Sequence, residues 1–260
     1  MHHTVHLAAS QVIRACEGDV WRELLLPPPN DEVLPGVAWG AFDALLTPAF
    51  WASQAWLHAP TGRFARYRLG ATLRHEVAAC LLGGYGISAE LGLAAFGRLR
   101  EAGLLDGTPA ALDVERVLEI PMAVGGRSVR YRFPRQKAEY LAEALARLDQ
   151  VVSLNARGRE LRDALATLRG IGLKTASWVT RNWCDADDVA ILDVHVCRAC
   201  ESAGVFAPGS RPYRAYLSME NRFLRFAQAI NVRASVLDNL IWQTMRRIPP
   251  AFLRSEAECA

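Results

Sequence analysis

A nearly all-helical fold is what this sequence predicts, on three observations. Apolar residues recur at helical spacing in successive segments: Val5, Ala8, Ala9, Val12 and Ile13; then Leu73, Val77, Cys80 and Leu81; then Leu91, Leu93, Ala94 and Phe96; then Ala138, Leu141, Ala144, Leu145 and Leu148. Helix-start signals precede several of these runs, as in Thr47-Pro-Ala-Phe50 and Ser88-Ala-Glu-Leu91. No internal repeat, low-complexity tract or strand-rich region interrupts the pattern.

In chain order, residues 1–25 read as a helix, with Leu24 completing the face begun at Val5, and Leu26-Pro-Pro-Pro-Asn30 stops it. The stretch to about Thr61 holds Trp39, Trp51 and Trp56, which core packing explains. A strong helix from Leu69 ends in Gly83-Gly-Tyr-Gly86, and Ser88 starts the next. Arg127-Ser-Val-Arg-Tyr-Arg-Phe-Pro-Arg-Gln-Lys137 is the densest basic run, with two aromatics interleaved, and leads into the helix through Leu148. At 260 residues the chain can bury a sizeable core, as one large domain or as two lobes.

The stretch Leu165-Ala-Thr-Leu-Arg-Gly-Ile-Gly-Leu-Lys174 organises the rest. Gly170 and Gly172 stand between a helical run on Leu161, Leu165 and Leu168 and another beginning near Lys174. Glycine there lets two helices meet through a tight turn and leaves backbone N–H groups uncovered. With the N-terminus of the second helix, those groups seat a phosphate, so the hairpin grips a nucleic-acid backbone without reading its sequence.

Lys174 is the sharper clue. The chain has 28 arginines and two lysines, Lys137 and Lys174. Arginine stays protonated, whereas a lysine can lose its proton and attack carbon as an amine. Asp193 follows 19 residues later, inside the apolar run Val189-Ala-Ile-Leu192 and Val194. A lone carboxylate there is a helix N-cap, a functional acid, or both.

Together, Gly170, Gly172, Lys174, Asp193 and His195 resemble the core of the helix-hairpin-helix DNA glycosylase superfamily, in its 8-oxoguanine DNA glycosylase/AP lyase branch. Lys174-Thr-Ala-Ser177, Arg181-Asn182 and Ala190-Ile-Leu-Asp193 look closest to the compact prokaryotic and archaeal members, and the likeness runs from about Leu73 to Trp242. The resemblance implies an all-α fold of two helical lobes with the hairpin at their cleft. Residues 1–66 would form an N-terminal helical segment packing with the C-terminal lobe, 67–165 a helical lobe, 160–182 the helix-hairpin-helix, and 183–260 the C-terminal lobe carrying the catalytic Asp.

It also implies a bifunctional enzyme that excises an oxidised purine, 8-oxoguanine, from double-stranded DNA through a Schiff base on Lys174, with Asp193 stabilising the developing charge. The alternatives are the same mechanism on another modified base and a non-catalytic hairpin DNA-binding protein. Gly170, Gly172, Arg169 and His195 would anchor phosphates. Arg132, Arg135 and Lys137 suit phosphates or the opposite strand, and equally a solvated surface. An enzyme acting on a base must extrude it, and Tyr85, on its glycine-rich loop, is the candidate wedge; a tyrosine packed over the turn is the other reading. Trp178, Asp238 and Trp242 are candidates to line the base pocket. Arg169 replaces the proline common before the first hairpin glycine. Beyond Trp242, Gln243-Thr-Met-Arg-Arg247 departs from the Gly-Lys terminus of that branch, which leaves base specificity open.

The charge distribution fits a phosphate-facing surface. Net charge is only +3, but residues 1–120 sum to −4 and residues 121–260 to +7. The six cysteines are too scattered for a disulfide framework, and Cys197-x-x-Cys200 is as readily two small residues one helical turn apart, so no metal is expected. No organic cofactor is implied; hairpin carbonyls can hold a monovalent cation. No run of about 18 uncharged apolar residues occurs, and the start lacks a signal-peptide pattern. The expectation is a monomer in a prokaryotic cytoplasm, associated with the nucleoid through DNA.

Overall fold

A computed structural model describes residues 9–59, 67–84 and 86–249. The chain divides into two units: residues up to 65 together with those from 192 onward, and residues 66–191.

The first unit opens with a hairpin of β1 (Gln11–Glu17) and β2 (Val20–Leu26), paired from Gln11 opposite Leu26 to Glu17 opposite Val20. Over the described part this corrects the helix expected for residues 1–25, of which residues 1–8 lie outside the described residues. Glu17 and Val20 leave a two-residue loop, Gly18-Asp19, and Gly18 adopts φ +60°, which suits the twist of paired strands. Ile13 and Leu26 are buried while their neighbours Val12 and Leu25 are exposed, so the apolar residues of each pair lie on opposite faces. Gln11 is buried and fully used. Its Nε2 donates to the carbonyls of Pro27 (2.8 Å) and Gly40 (3.0 Å), and its Oε1 accepts from the Phe42 N–H (2.8 Å). A short antiparallel pair follows, β3 (Glu32–Leu34) and β4 (Val37–Ala38), then α1 (Pro48–His58), capped by Thr47 Oγ1, which accepts from the Phe50 N–H at 3.0 Å. Trp39 and Trp51 are buried core residues, and Arg22 lies 4.6 Å over the ring of Trp56.

The second unit carries α2 (Leu73–Leu82), α3 (Ala89–Glu101), α4 (Ala111–Glu119), a hairpin of β5 (Met122–Val124) and β6 (Arg127–Val129), then α5 (Pro134–Val151), α6 (Gly158–Ala166) and α7 (Leu173–Cys184). Ser88 caps α3 by accepting from the Leu91 N–H at 3.2 Å. The β5–β6 hairpin was not visible as periodicity; it turns on Gly125-Gly126, both at positive φ. Helix α2 is central, packed against α3, α5 and α7. Its Glu76 is fully buried and satisfied across the unit: it accepts from the Leu69 and Gly70 N–H groups (2.8 Å each) and from Asn182 Nδ2 of α7 (2.7 Å). A buried carboxylate is tolerable only with such partners.

The C-terminal part of the first unit consists of α8 (Val194–Ser202), α9 (Pro212–Ala229), which leaves helical geometry at Ala215, and α10 (Ala234–Met245). Helix α10 packs against α1, α8 and α9 around Phe223, Phe226, Leu237 and Ile241. Burying each such side chain contributes about 1.5–3 kcal/mol. The boundary differs from the expected one, since residues 183–191 belong with the second unit. Arg159 holds Asp188 through its N–H (3.0 Å) and Nε (2.9 Å), and Arg68 binds the Trp183 carbonyl (2.6 and 3.1 Å). Among the described residues, strands are therefore confined to short two-stranded pieces, and helices make up the rest of the regular structure.

Candidate active site

The turn between α6 and α7 runs through Leu168-Arg169-Gly170-Ile171, closed by the Ile171 N–H donating to the Leu168 carbonyl at 3.1 Å. Gly170 has φ +83°, a conformation unfavourable to L side chains, and a Cβ there would enter the ring of Tyr140. Tyr140 thus forms the floor of the hairpin, a residue the sequence pattern did not single out. Gly170→Ala should destabilise the protein by more than about 1 kcal/mol, measured by urea unfolding.

Gly172 is the N-cap of α7, with open space where a Cβ would stand, and no side chain caps this end of the helix. The first amides of α7 are left for an outside acceptor, the arrangement that suits a phosphate. Lys174 lies in that first turn, half-buried, and no carboxylate pairs with it among the described residues. Arg169 is exposed and shared between carboxylates, 3.8 Å from Glu139 and 3.7 Å from Glu143, with its guanidinium 5.2 Å over Tyr140. Arg135 is also exposed, 3.3 Å from Glu139.

Lys137, grouped above with the DNA contacts, turns inward. Its Nζ donates to the carbonyls of Leu81 (2.5 Å) and Gly83 (3.1 Å), and the Tyr131 hydroxyl donates to the Leu82 carbonyl between them (2.5 Å). The last carbonyls of α2 are thereby capped by Tyr131 and Lys137, which fixes the chain where it leaves that helix. Tyr85 itself lies outside the described residues. Burial, and then the positive charge of Lys174, lowers the Lys137 pKa from 10.5 to about 8. Folding therefore favours the neutral amine. Between pH 8 and 10.5 the unfolded chain binds the extra proton, so stability rises with pH across that window. The difference in unfolding free energy between the parent and Lys137→Met should shift in favour of the parent from pH 8 to 10.5, measured by urea unfolding at fixed ionic strength.

Trp178, one turn past Lys174, packs against the same loop: its Cη2 would lie 3.0 Å from a Cβ on Gly83. Glycine at 83 makes room for that ring.

In the first unit, Asp193 is the N-cap of α8. Its Oδ1 accepts from the backbone N–H groups of His195 (2.9 Å) and Val196 (2.8 Å), which holds the carboxylate in one orientation. His195 is half-buried. Cys197 and Cys200 lie on the buried side of α8; burial, then Asp193 and Glu201, pushes the Cys197 thiol up to about 12, and burial raises Cys200 as well. On α10, Asp238 is buried, and Trp242 is half-buried with Arg246 4.6 Å over its ring.

A family model described as 8-oxoguanine DNA glycosylase matches residues 63–232, more than half of the chain and all of the hairpin. The chain belongs to the 8-oxoguanine DNA glycosylase family. Among its relatives in the family is the 8-oxoguanine DNA glycosylase/AP lyase of Methanocaldococcus jannaschii, 32% identical over 121 residues, which cover 45% of this chain and 58% of the relative. A crystal structure of the 8-oxoguanine glycosylase/lyase of that organism, in complex with 15mer DNA containing 8-oxoguanine, superposes with a TM-score of 0.53 at 25% identity, over 75% of this chain and 88% of that one. The 8-oxoguanine DNA glycosylase of Thermotoga maritima shares the fold, with a TM-score of 0.57 at 24% identity over 76% and 96% of the two chains. No helix among the described residues is long and apolar enough to cross a membrane.

Proposed function

We propose that this family member is a bifunctional DNA glycosylase/AP lyase that removes 8-oxoguanine from double-stranded DNA. The observation that carries the reading is Lys174. It is a half-buried amine with no carboxylate partner among the described residues, in the first turn of a helix whose N-terminal amides are open to a phosphate. A DNA backbone seated on those amides brings a sugar to the amine. The neutral Nζ attacks C1′, the glycosidic C–N bond breaks, and the departing base takes the electron pair and a proton. Loss of an Nζ proton and opening of the sugar ring give the Schiff base. Removal of a C2′ proton then expels the 3′ phosphate by β-elimination, and water releases the lysine.

Asp193, oriented by two backbone amides, is assigned to the positive charge that develops on the sugar. The Gly170–Gly172 amides and His195 are assigned to phosphates, and Asp238 and Trp242 to the base. No organic cofactor enters any step, and hairpin carbonyls offer a seat to a monovalent cation. The protein is assigned to act as a monomer on nucleoid DNA in the cytoplasm.

The test compares release of the modified base and strand cleavage on duplexes carrying 8-oxoguanine or an oxidised pyrimidine. Cleavage of the 8-oxoguanine duplex is expected. Cleavage of the pyrimidine duplex alone would overturn the substrate and keep the mechanism.

A further inference from the structure

Away from the hairpin, the first unit holds a concavity of about 530 Å³ between the Gly204–Arg211 loop and the first half of α9. Three arginines line it: Arg211 and Arg214 are exposed, and Arg222 is half-buried. Arg222 Nε donates to the Val205 carbonyl, which ties the guanidinium to the loop at the wall of the concavity. Among the described residues a single carboxylate reaches the group, Glu201, at 3.9 Å from Arg211. Among the described residues none lies within ion-pair distance of Arg214 or Arg222, so the concavity is net positive. Phe206 and Met219 form buried apolar lining, which concentrates that field.

We propose that this concavity is a phosphate-binding site that takes a phosphodiester of nucleic acid. Planar guanidinium groups match phosphate oxygens through paired N–H donors, better than a point charge would. The Ser218 hydroxyl adds a neutral donor at the wall. Two neighbours favour a nucleic-acid phosphate over a small anion. Tyr213 is 76% exposed, with the Arg214 guanidinium 5.4 Å from its ring, and Leu217 is 50% exposed. An aromatic and an aliphatic side chain left in water beside clustered arginines give a sugar or base apolar contact next to its phosphate. The choice of nucleic acid as the ligand rests on the duplex-binding reading above; the charge and the shape of the site do not.

Anisotropy of an undamaged fluorescent duplex, titrated at several salt concentrations, tests the site without requiring excision. The variants are R211Q/R214Q/R222Q and, because Arg222 supports a backbone carbonyl, R211Q/R214Q, which alters only exposed side chains. R14Q/R116Q removes the same charge as the latter elsewhere. The site predicts that both cluster variants bind about tenfold more weakly and lose about 0.9 from the log–log salt slope, the signature of one phosphate contact, while R14Q/R116Q matches the parent. Equal losses in R14Q/R116Q, or none in folded R211Q/R214Q, would overturn the site and leave the enzymatic reading standing. A parent that ignores duplex would instead count against the enzymatic reading. Phosphorus NMR separates the two sources: broadening of inorganic phosphate by the parent but not by R211Q/R214Q, together with unchanged duplex affinity in that variant, would overturn the nucleic-acid ligand in favour of free phosphate.

Discussion

Lys174→Gln should lose excision and strand cleavage by at least about a thousandfold, equivalent to roughly 4 kcal/mol of transition-state stabilisation. The amide of glutamine is not nucleophilic, so no Schiff base forms. Binding behaves differently. The hairpin amides and Gly170 turn are backbone features, untouched by the side chain at 174, and the variant should hold an 8-oxoguanine duplex within about tenfold of the parent, the loss of one positive charge near DNA. Single-turnover cleavage and anisotropy on the same duplex separate the two quantities. Parallel loss of both would make Lys174 a binding residue.

Asp193 has two separable duties. Asparagine keeps an oxygen at the position that accepts from the His195 and Val196 amides, and it caps helices about as well as aspartate. Asp193→Asn should therefore unfold near the parent while excision slows by about 10²–10³, the usual scale for removing a charge that stabilises a transition state. Asp193→Ala removes the cap as well and should lose about 1 kcal/mol of stability. Thermal melts and single-turnover rates on both variants give the comparison. A wild-type rate in Asp193→Asn would confine the residue to capping.

What the sequence revealed was short-range. Gly170, Gly172 and Lys174 sit within five residues of one another, and Asp193 immediately precedes the helix it caps, so spacing alone fixed their local setting. The opening hairpin escaped for a local reason too. Val12-Ile13 and Leu24-Leu25-Leu26 satisfy helical and strand periods alike, and only Gly18-Asp19 between them distinguishes the two. Other features were long-range. Lys137 faces inward because its acceptors, the Leu81 and Gly83 carbonyls, are 56 and 54 residues away in sequence. Trp178 finds its room at Gly83, and Glu76 its partner at Asn182, 106 residues on. The Tyr140 floor beneath Gly170 follows the same rule, since α5 reaches the turn only in three dimensions. Periodicity assigns a side chain to a helix face, and tertiary packing decides what lies opposite.

Borohydride trapping on a labelled duplex containing 8-oxoguanine tests the central claim most directly, because reduction fixes the Schiff base as a stable covalent adduct. A protein–DNA adduct on that duplex, absent with Lys174→Gln, is the predicted result. No adduct on it, nor on a duplex carrying a ready-made abasic site, would contradict the amine nucleophile and leave a DNA-binding protein without lyase chemistry.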